Sequence, residues 1–322
     1  MEFRLIDRIR ELTAQSRDDV RLGIGDDAAV LAVPAGQELA VAIDTMVEGT
    51  HFLPGTAAAD LGWKALAVNL SDLAAMGATP AWALLALTMP KADAPFVDGF
   101  AQGFAQLAKP HGLALVGGDT TGGPLCISVA VHGFVPPGQA LTRGGARVGD
   151  EVLVTGTLGD AVAGLHALRE PPHDDAHRAA LRQVLYTRLT RPEPRVAAGI
   201  ALRGLASACV DVSDGLIADL GHICHASGVG AQLEAAQLPR SHALRELHGE
   251  DDSLQLALAG GDSYELCFTV PPSHLAQAQA ALAAVGCPVT RIGRIVEGHD
   301  VQVRAADGGP QLISMASWEH FA

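Results

Sequence analysis

The stretch Leu22-Gly23-Ile24-Gly25-Asp26-Asp27-Ala28 sets two adjacent carboxylates directly after a glycine-rich turn. Glycine lets backbone N–H groups approach an anion closely. Two carboxylates about 4 Å apart repel by about 4 kcal/mol at an effective dielectric of 20, so the pair favours a bound cation. By itself the stretch is weak evidence for a ligand site, because an ordinary polar turn also explains it.

Four further segments repeat the pattern of aspartate beside glycine, serine or threonine. They read Ile43-Asp44-Thr45, Asn69-Leu70-Ser71-Asp72-Leu73, Gly117-Gly118-Asp119-Thr120-Thr121 and Asp211-Val212-Ser213-Asp214-Gly215. Hard oxygen ligands without a histidine or cysteine cluster indicate Mg²⁺ or Mn²⁺ rather than zinc. The chain has neither a Gly-x-x-x-x-Gly-Lys-Ser/Thr loop nor the protein-kinase signatures. The five segments together predict phosphoryl transfer on a different architecture.

Length and composition restrict the class of protein. A chain of 322 residues favours two domains, and we predict them at 1–145 and 146–322. Hydrophobic residues make up 48% and charged residues 18%, which is typical of a soluble globular protein. Because no membrane span and no secretory signal is recognisable, we expect a cytoplasmic protein that does not bind a membrane. A formal net charge of -14 disfavours nucleic-acid binding.

The order of apolar runs predicts an α+β fold with mixed α/β layers, because helices and strands do not alternate strictly. Strands at 28–33 and 38–43, joined by Pro34-Ala35-Gly36, are expected to form a hairpin with Asp44 at a strand end. A strand at 113–116 would deliver Asp119 at its carboxyl end. A helix at 60–76 carries Asp72, and residues 264–270 read as a strand.

Taken in order, the motifs resemble the bacterial thiamine-monophosphate kinase family. Besides the aspartate segments, the resemblance rests on further stretches: Met46-Val47, His51-Phe52-Leu53-Pro54, Lys64 to Ala78, Leu141-Thr142-Arg143, Val154-Thr155-Gly156, Leu216 and Tyr264-Glu265-Leu266. It runs from about residue 3 to Trp318-Glu319-His320-Phe321. As an ordered set the motifs are highly specific.

The resemblance implies ATP-dependent phosphorylation of thiamine monophosphate to thiamine diphosphate, by direct transfer with several Mg²⁺ ions. It also implies the two-domain fold of aminoimidazole ribonucleotide synthetase, in which the N-terminal domain binds ATP and Mg²⁺ and forms a homodimer, and the C-terminal domain completes the site. The implied metal ligands are Asp27, Asp44, Asp72, Asp119, Asp211 and Asp214, with Asp26 close by. The implied ATP contacts are Gly118, Asp119, Arg143 and Ser213. The implied substrate contacts are His51, Asp262 and Trp318.

Two places depart from the family pattern. Ala42-Ile43 precede Asp44 where the family often has hydroxyl residues, so an oxygen ligand is missing there. Gly260-Gly261-Asp262-Ser263-Tyr264-Glu265 stands where Gly-Gly-Glu-Asp-Tyr-Glu is usual, and Asp262 is one methylene shorter than glutamate.

Two alternatives stay open at this point. One is another ATP-dependent synthetase of the same superfamily, although a selenophosphate synthetase would need a reactive cysteine in the N-terminal loop and none occurs before Cys126. The other is a nucleotide- or metal-binding module without turnover.

Overall fold

The computed structural model describes residues 2–169 and 175–317. It divides into two compact units: Met1–Leu73 with Ala78–Gly138 is the first unit, and Ala74–Gly77 with Gln139–Ala322 is the second. The predicted boundary near residue 145 falls a few residues after this division. Within the described ranges, no helix has the length and apolar character needed to cross a membrane.

The first unit is built on a four-stranded sheet, with a separate two-stranded sheet beside it. Its elements are α1 (Glu2–Leu12), β1 (Val20–Leu22), β2 (Val30–Leu31), β3 (Glu38–Val47), α2 (Ala58–Ala75), β4 (Thr79–Met89), α3 (Ala94–Ala108), β5 (Ala114–Gly122) and β6 (Cys126–Val135). The order of the larger sheet is β3-β6-β4-β5. Strands β4 and β5 are parallel because α3 crosses between them, and the other neighbours are antiparallel.

Side chains alternate between the two faces of this sheet, and only one face is fully covered. Ile127, Val129 and Val131 of β6 are at most 1% exposed. On neighbouring residues that face the other way, Val41 is 59% exposed and Ile43 is 66% exposed. We call this second side, with Leu39, Val41, Ile43 and Leu84, the open face of the four-stranded sheet.

The second unit is a mixed six-stranded sheet with helices. Its elements are β7 (Glu151–Thr155), α4 (Asp160–Arg169), α5 (Ala176–Thr190), α6 (Val196–Ala201), β8 (Ala208–Asp211), α7 (Leu216–Ser227), β9 (Gly230–Glu234), α8 (His242–Ala259), β10 (Leu266–Val270), α9 (Leu275–Ala284), β11 (Val289–Val296) and β12 (Val301–Arg304). The strand order is β12-β9-β11-β7-β10-β8, with only β12 and β9 parallel. The mixed helices and sheets confirm the predicted α+β class.

The predicted hairpin is wrong in its pairing. β2 pairs with β1, and β3 pairs with β6 instead. The reason is packing: Val20 and Leu31 of the small sheet, with the adjacent Ala29, cover a buried cluster that contains Trp82 and Phe134.

Three predicted strand ends also lie elsewhere. Asp44 and Asp119 are inside β3 and β5, because those strands continue to Val47 and Gly122 through pairing with their neighbours. β10 begins at Leu266 rather than Tyr264, since Tyr264 has a left-handed φ of 50° that a strand does not accept.

Candidate functional site

Three predicted metal ligands line one cavity in the first unit. Asp26, Asp27 and Asp119 border a space of about 1010 Å³, together with Arg10 and His132. Burial lowers the pKa of His132, so that ring is neutral at pH 7 and adds no positive charge. The cavity therefore combines carboxylate oxygens with one arginine.

The loop that carries Asp26 and Asp27 depends on Gly25. Its φ of 125° is unfavourable for residues with a Cβ, and a Cβ there would lie 3.1 Å from Nη1 of Arg10. Oδ1 of Asp26 accepts a hydrogen bond of 2.9 Å from the backbone N–H of Asp27. Both carboxylates are exposed, so they are accessible to a cation or a ligand.

Gly118 is needed for sheet geometry as well as for any ligand. Its φ is 149°, and a Cβ there would lie 1.8 Å from the carbonyl oxygen of Leu85 on β4. Asp119 follows at once, and its Oδ1 accepts a hydrogen bond of 2.9 Å from the N–H of Thr120. The glycine thus places β5 tightly on β4 and sets Asp119 at the cavity.

Asp44 and Asp72 do not line this cavity. The row Thr45, Ser128, Ala86 and Asp119 crosses the sheet, and Asp44 belongs to the neighbouring row. Neighbouring rows point to opposite faces, so within the first unit Asp44 and Asp119 lie on opposite sides of the sheet.

Asp44 is fixed instead to α2, the helix that carries Asp72. The backbone N–H of Asp44 donates to Oδ1 of Asn69 at 2.9 Å, and Asn69 in turn donates to the carbonyl of Ala65 at 2.9 Å. Asn69 is 1% exposed. Asn69 belongs to one of the predicted motifs, but the hydrogen bonds by which it links β3 to α2 were not predicted.

His51 has a structural partner. Its Nδ1 accepts a hydrogen bond of 3.0 Å from the N–H of Val47, at the end of β3. In the neutral ring the proton then resides on Nε2.

The remaining predicted aspartates lie in the second unit, on the loop between β8 and α7. Asp211 ends β8 and is 6% exposed. Oδ2 of Asp219, in the first turn of α7, accepts hydrogen bonds from the backbone N–H groups of Ser213, Asp214 and Gly215 at 3.0, 3.1 and 3.1 Å. Burial, and then the negative charges of Asp211 and Asp214, raise the pKa of Asp219 to about 7.

Asp219 was missed by the sequence reasoning. It lies five residues after Asp214 in a stretch that reads as an ordinary amphipathic helix, and only its return to the loop reveals its function. A signal did exist, since an acidic residue in a first helical turn is a common partner of N-terminal N–H groups.

Asp262 lies next to this loop. Its backbone N–H donates to the carbonyl of Ser213 at 2.7 Å, and the N–H of Tyr264 donates to Val212 at 2.8 Å. The Tyr264 hydroxyl donates to Oδ1 of Asp262 at 3.0 Å. Asp262 has a left-handed φ of 61°. The structure thus joins the substituted Gly-Gly-Asp-Ser-Tyr segment to the aspartate loop.

Arg143 belongs to a loop that the end of α7 holds. Oγ of Ser227 accepts from the N–H groups of Gly145 and Ala146 at 3.1 Å each, and donates to the carbonyl of Arg143 at 3.3 Å. The Arg143 side chain is exposed. Trp318, the third predicted substrate contact, lies outside the described residues.

The donor set suits a hard cation, but it is not assembled into a finished site. Across residues 2–169 and 175–317, no group of three or more His, Cys, Asp or Glu side chains is arranged to hold a metal ion. Aspartate oxygens are the ligands that Mg²⁺ prefers, and Mg²⁺ usually uses only one or two carboxylates with water and substrate phosphates. The paired aspartates of the first and second units therefore fit Mg²⁺ by donor type.

Comparison with known proteins gives the same family for both units. Residues 25–135 match the model of the AIR synthase related protein, N-terminal domain, and residues 147–306 match that of the C-terminal domain. A thiamine-monophosphate kinase from Escherichia coli K12 is 48% identical over 322 residues, covering 100% of this chain and 98% of that protein.

Solved structures agree. The thiamine-monophosphate kinase of Stenotrophomonas maltophilia K279a is 51% identical, with a TM-score of 0.87, covering 95% of this chain and 96% of that one. The structure described as AaThiL complexed with AMPPCP and TMP is 32% identical with a TM-score of 0.78, covering 99% of this chain and 97% of that one.

Proposed function

The chain belongs to the thiamine-monophosphate kinase family, and from this membership we propose that it transfers a phosphoryl group from ATP to thiamine monophosphate, forming thiamine diphosphate. The observation that carries the proposal is likeness over the full chain, including the likeness to AaThiL bound to an ATP analogue and TMP. The resemblance seen in the sequence motifs is confirmed.

The cavity chemistry supports this reaction. A loose phosphoryl-transfer transition state requires alignment and charge neutralisation rather than a covalent nucleophile. Mg²⁺ held by the aspartates would neutralise the phosphate oxygens and bring donor and acceptor phosphates together. We assign Asp26, Asp27 and Asp119 to this role in the first unit, and Asp211 and Asp214 in the second.

The other predicted residues are proposed as further metal ligands and ATP contacts. Asp44 and Asp72 are proposed as further Mg²⁺ ligands, and Gly118 and Ser213 as ATP contacts. Arg143 is proposed to bind phosphate oxygens, which a guanidinium can do bidentately.

The substrate contacts are proposed separately. His51 is proposed as a substrate contact. Asp262, whose carboxylate Tyr264 orients, is proposed as a substrate contact, and Trp318 as a stacking surface for the thiamine ring.

The test of the activity is direct. Purified protein with ATP and Mg²⁺ should convert thiamine monophosphate to thiamine diphosphate, measured by chromatography of the products. Asp119→Asn should lower kcat by at least about 10-fold, because a metal-site carboxylate is lost. Asp98→Asn is the control. Asp98 lies on α3 and pairs with Arg8 of α1 at 2.6 Å, and its loss should not change kcat. A folded wild-type protein without product formation would refute the proposal.

We also propose that the chain forms a homodimer through the open face of the four-stranded sheet. Leu39, Val41, Ile43 and Leu84 are 42%, 59%, 66% and 37% exposed there. An exposed apolar surface of this kind marks an interaction site. Leu84 also lines the cavity with Asp119, so a partner on this face would border the proposed site.

Light scattering tests the dimer. Ile43→Glu places a charge on the open face, at its most exposed apolar residue, and should give a monomer. Val184→Glu is the control, because Val184 is an exposed apolar residue (50%) on α5 of the second unit. A wild-type protein of monomeric mass would refute the homodimer, and a dimeric Ile43→Glu variant would refute this interface.

A further inference from the structure

Asp219 holds the loop that carries two of the proposed metal ligands. It is 2% exposed, and its Oδ2 accepts from three consecutive backbone N–H groups, those of residues 213 to 215. We infer that Asp219 is a positioning residue, which fixes this loop so that Asp211 and Asp214 present their carboxylates to a divalent cation. The inference rests on the proposed function.

The hydrogen bonds also decide which charge the loop can accept. A loop at a helix N-terminus usually directs free N–H groups at an anion, and the helix dipole adds to the attraction. Here the N–H groups of the three residues that precede α7 all donate to the Asp219 carboxylate, so the loop does not direct them at an anion. The side chains of the loop carry oxygen atoms: the carboxylates of Asp211 and Asp214 and the hydroxyl of Ser213. The loop therefore suits a cation better than an anion.

The other side of the loop is held independently. The carbonyl oxygens of Val212 and Ser213 accept from the N–H groups of Tyr264 and Asp262 at 2.8 and 2.7 Å. Gly215 lies so close to α8 that a Cβ would be 2.6 Å from the carbonyl of Ala259. Removing the Asp219 carboxylate should thus release the N–H side of the loop while the carbonyl side stays in place.

The experiment compares Asp219→Ala and Asp219→Asn with a matched control, Asp160→Ala. Asp160 is also buried (4% exposed) and in the first turn of a helix, α4, where it accepts from the hydroxyls of Thr157 and Ser241 at 2.7 and 2.6 Å. Neither of these two hydrogen bonds involves the loop between β8 and α7. Asp160 also lies 3.7 Å from Nε of Arg188, so the two alanine variants are compared at an equal folded fraction.

The readouts are Mn²⁺ binding, measured by electron paramagnetic resonance with the metal alone, and steady-state kinetics. Asp219→Ala should weaken Mn²⁺ binding and lower kcat, each by about 10- to 100-fold, as is typical when a partner that orients metal ligands is removed. KM for thiamine monophosphate should stay near that of the wild type. Asp219→Asn keeps an acceptor oxygen and should recover part of both losses, whereas Asp160→Ala should change neither.

Two outcomes would overturn the inference. One is an Asp219→Ala protein that matches Asp160→Ala in Mn²⁺ binding and kcat at an equal folded fraction. The other is an Asp219→Asn protein as impaired as the alanine variant, which would show that charge rather than positioning matters. Wild-type protein without kinase activity would refute the proposed function, but the Mn²⁺ titrations would still decide the role of Asp219.

Discussion

Glu265 offers a stability test whose magnitude follows from its contacts. The side chain is 1% exposed and accepts four hydrogen bonds. Oε1 accepts from Nη2 of Arg188 at 2.8 Å and Nη2 of Arg195 at 2.7 Å, and Oε2 accepts from Nε of Arg195 at 2.7 Å and Oγ1 of Thr155 at 2.6 Å. Burial alone would lower the pKa of Arg195, but the hydrogen bonds and charge of Glu265 outweigh that effect and raise it.

Glu265→Gln removes the charge and places an NH₂ group where Oε2 was. The new donor then faces Nε of Arg195, which is also a donor, and Thr155, whose hydroxyl oxygen already accepts from the N–H of Leu266 at 2.8 Å. Arg195, with a side chain only 16% exposed, would be left without its buried partner. Breaking a buried ion pair in this way costs about 3 to 5 kcal/mol of unfolding free energy.

The matched control is Glu193→Gln. Glu193 also pairs with Arg195, at 3.5 Å, but its side chain is 68% exposed. A solvent-exposed pair of this kind contributes less than about 1 kcal/mol. The two variants therefore remove partners of one arginine in opposite environments.

The assay has to report on the second unit. Two of the three tryptophans, Trp63 and Trp82, lie in the first unit, so fluorescence would chiefly follow the wrong part of the chain. Hydrogen exchange of the amides of β10, read by mass spectrometry, gives the opening free energy next to Glu265, and urea unfolding followed by circular dichroism gives a second value. Equal losses in the two variants, or a loss below about 1 kcal/mol for Glu265→Gln, would refute the burial argument.

Three further predictions concern the first unit and can be followed by tryptophan fluorescence. Gly118→Ala should lower the unfolding free energy by about 1 to 3 kcal/mol, because the added Cβ collides with the carbonyl of Leu85. Gly122→Ala should cost much less, since a Cβ at Gly122 has no atom within 4 Å. Similar losses in the two variants would contradict the close approach of Gly118 to Leu85. Burial lowers the pKa of His111, so the folded state binds fewer protons than the unfolded state, and stability should decrease as the pH falls below about 6.5; a His111→Gln variant with the same pH dependence would exclude this residue as the cause. The hydrogen bonds of Arg17 lower the pKa of Asp19, so Asp19→Asn should be less stable at pH 7, with a difference that shrinks as the pH falls below 3.8; a pH-independent difference would argue against the ion pair.

Local sequence predicted the positions of helices and strands better than it predicted which strands pair. The helix predicted at 60–76 is observed at Ala58–Ala75, and the strand predicted at 264–270 is observed at Leu266–Val270, since each shows a local apolar pattern of its own. The hairpin across Pro34 failed because a turn signal shows where a chain bends but not which strand it will join. Pairing of β3 with β6 joins residues far apart in the sequence, such as Asp44 and Val129.

The candidate site shows the same difference between what local sequence predicts and what folding decides. The sequence predicted a set of aspartates as metal ligands, and it treated them as a single group. The structure places Asp26, Asp27 and Asp119 on one cavity of the first unit, and it attaches Asp44 to α2 through Asn69. Departures from the family pattern also acquire a location: Ile43 lies on the open face of the sheet, on the side opposite the Asp44 side chain.

The sequence by itself determined the family and the reaction class that the family implies, because these depend on residue types in a fixed order. It also predicted which carboxylates would bind a divalent cation. Tertiary structure alone decided which of those carboxylates meet. In a strand, one position of register moves a side chain to the opposite face, and register is set by partners distant in the chain. Asp219 is the clearest case: a helical aspartate becomes the acceptor for three backbone N–H groups only after the chain has folded back on itself.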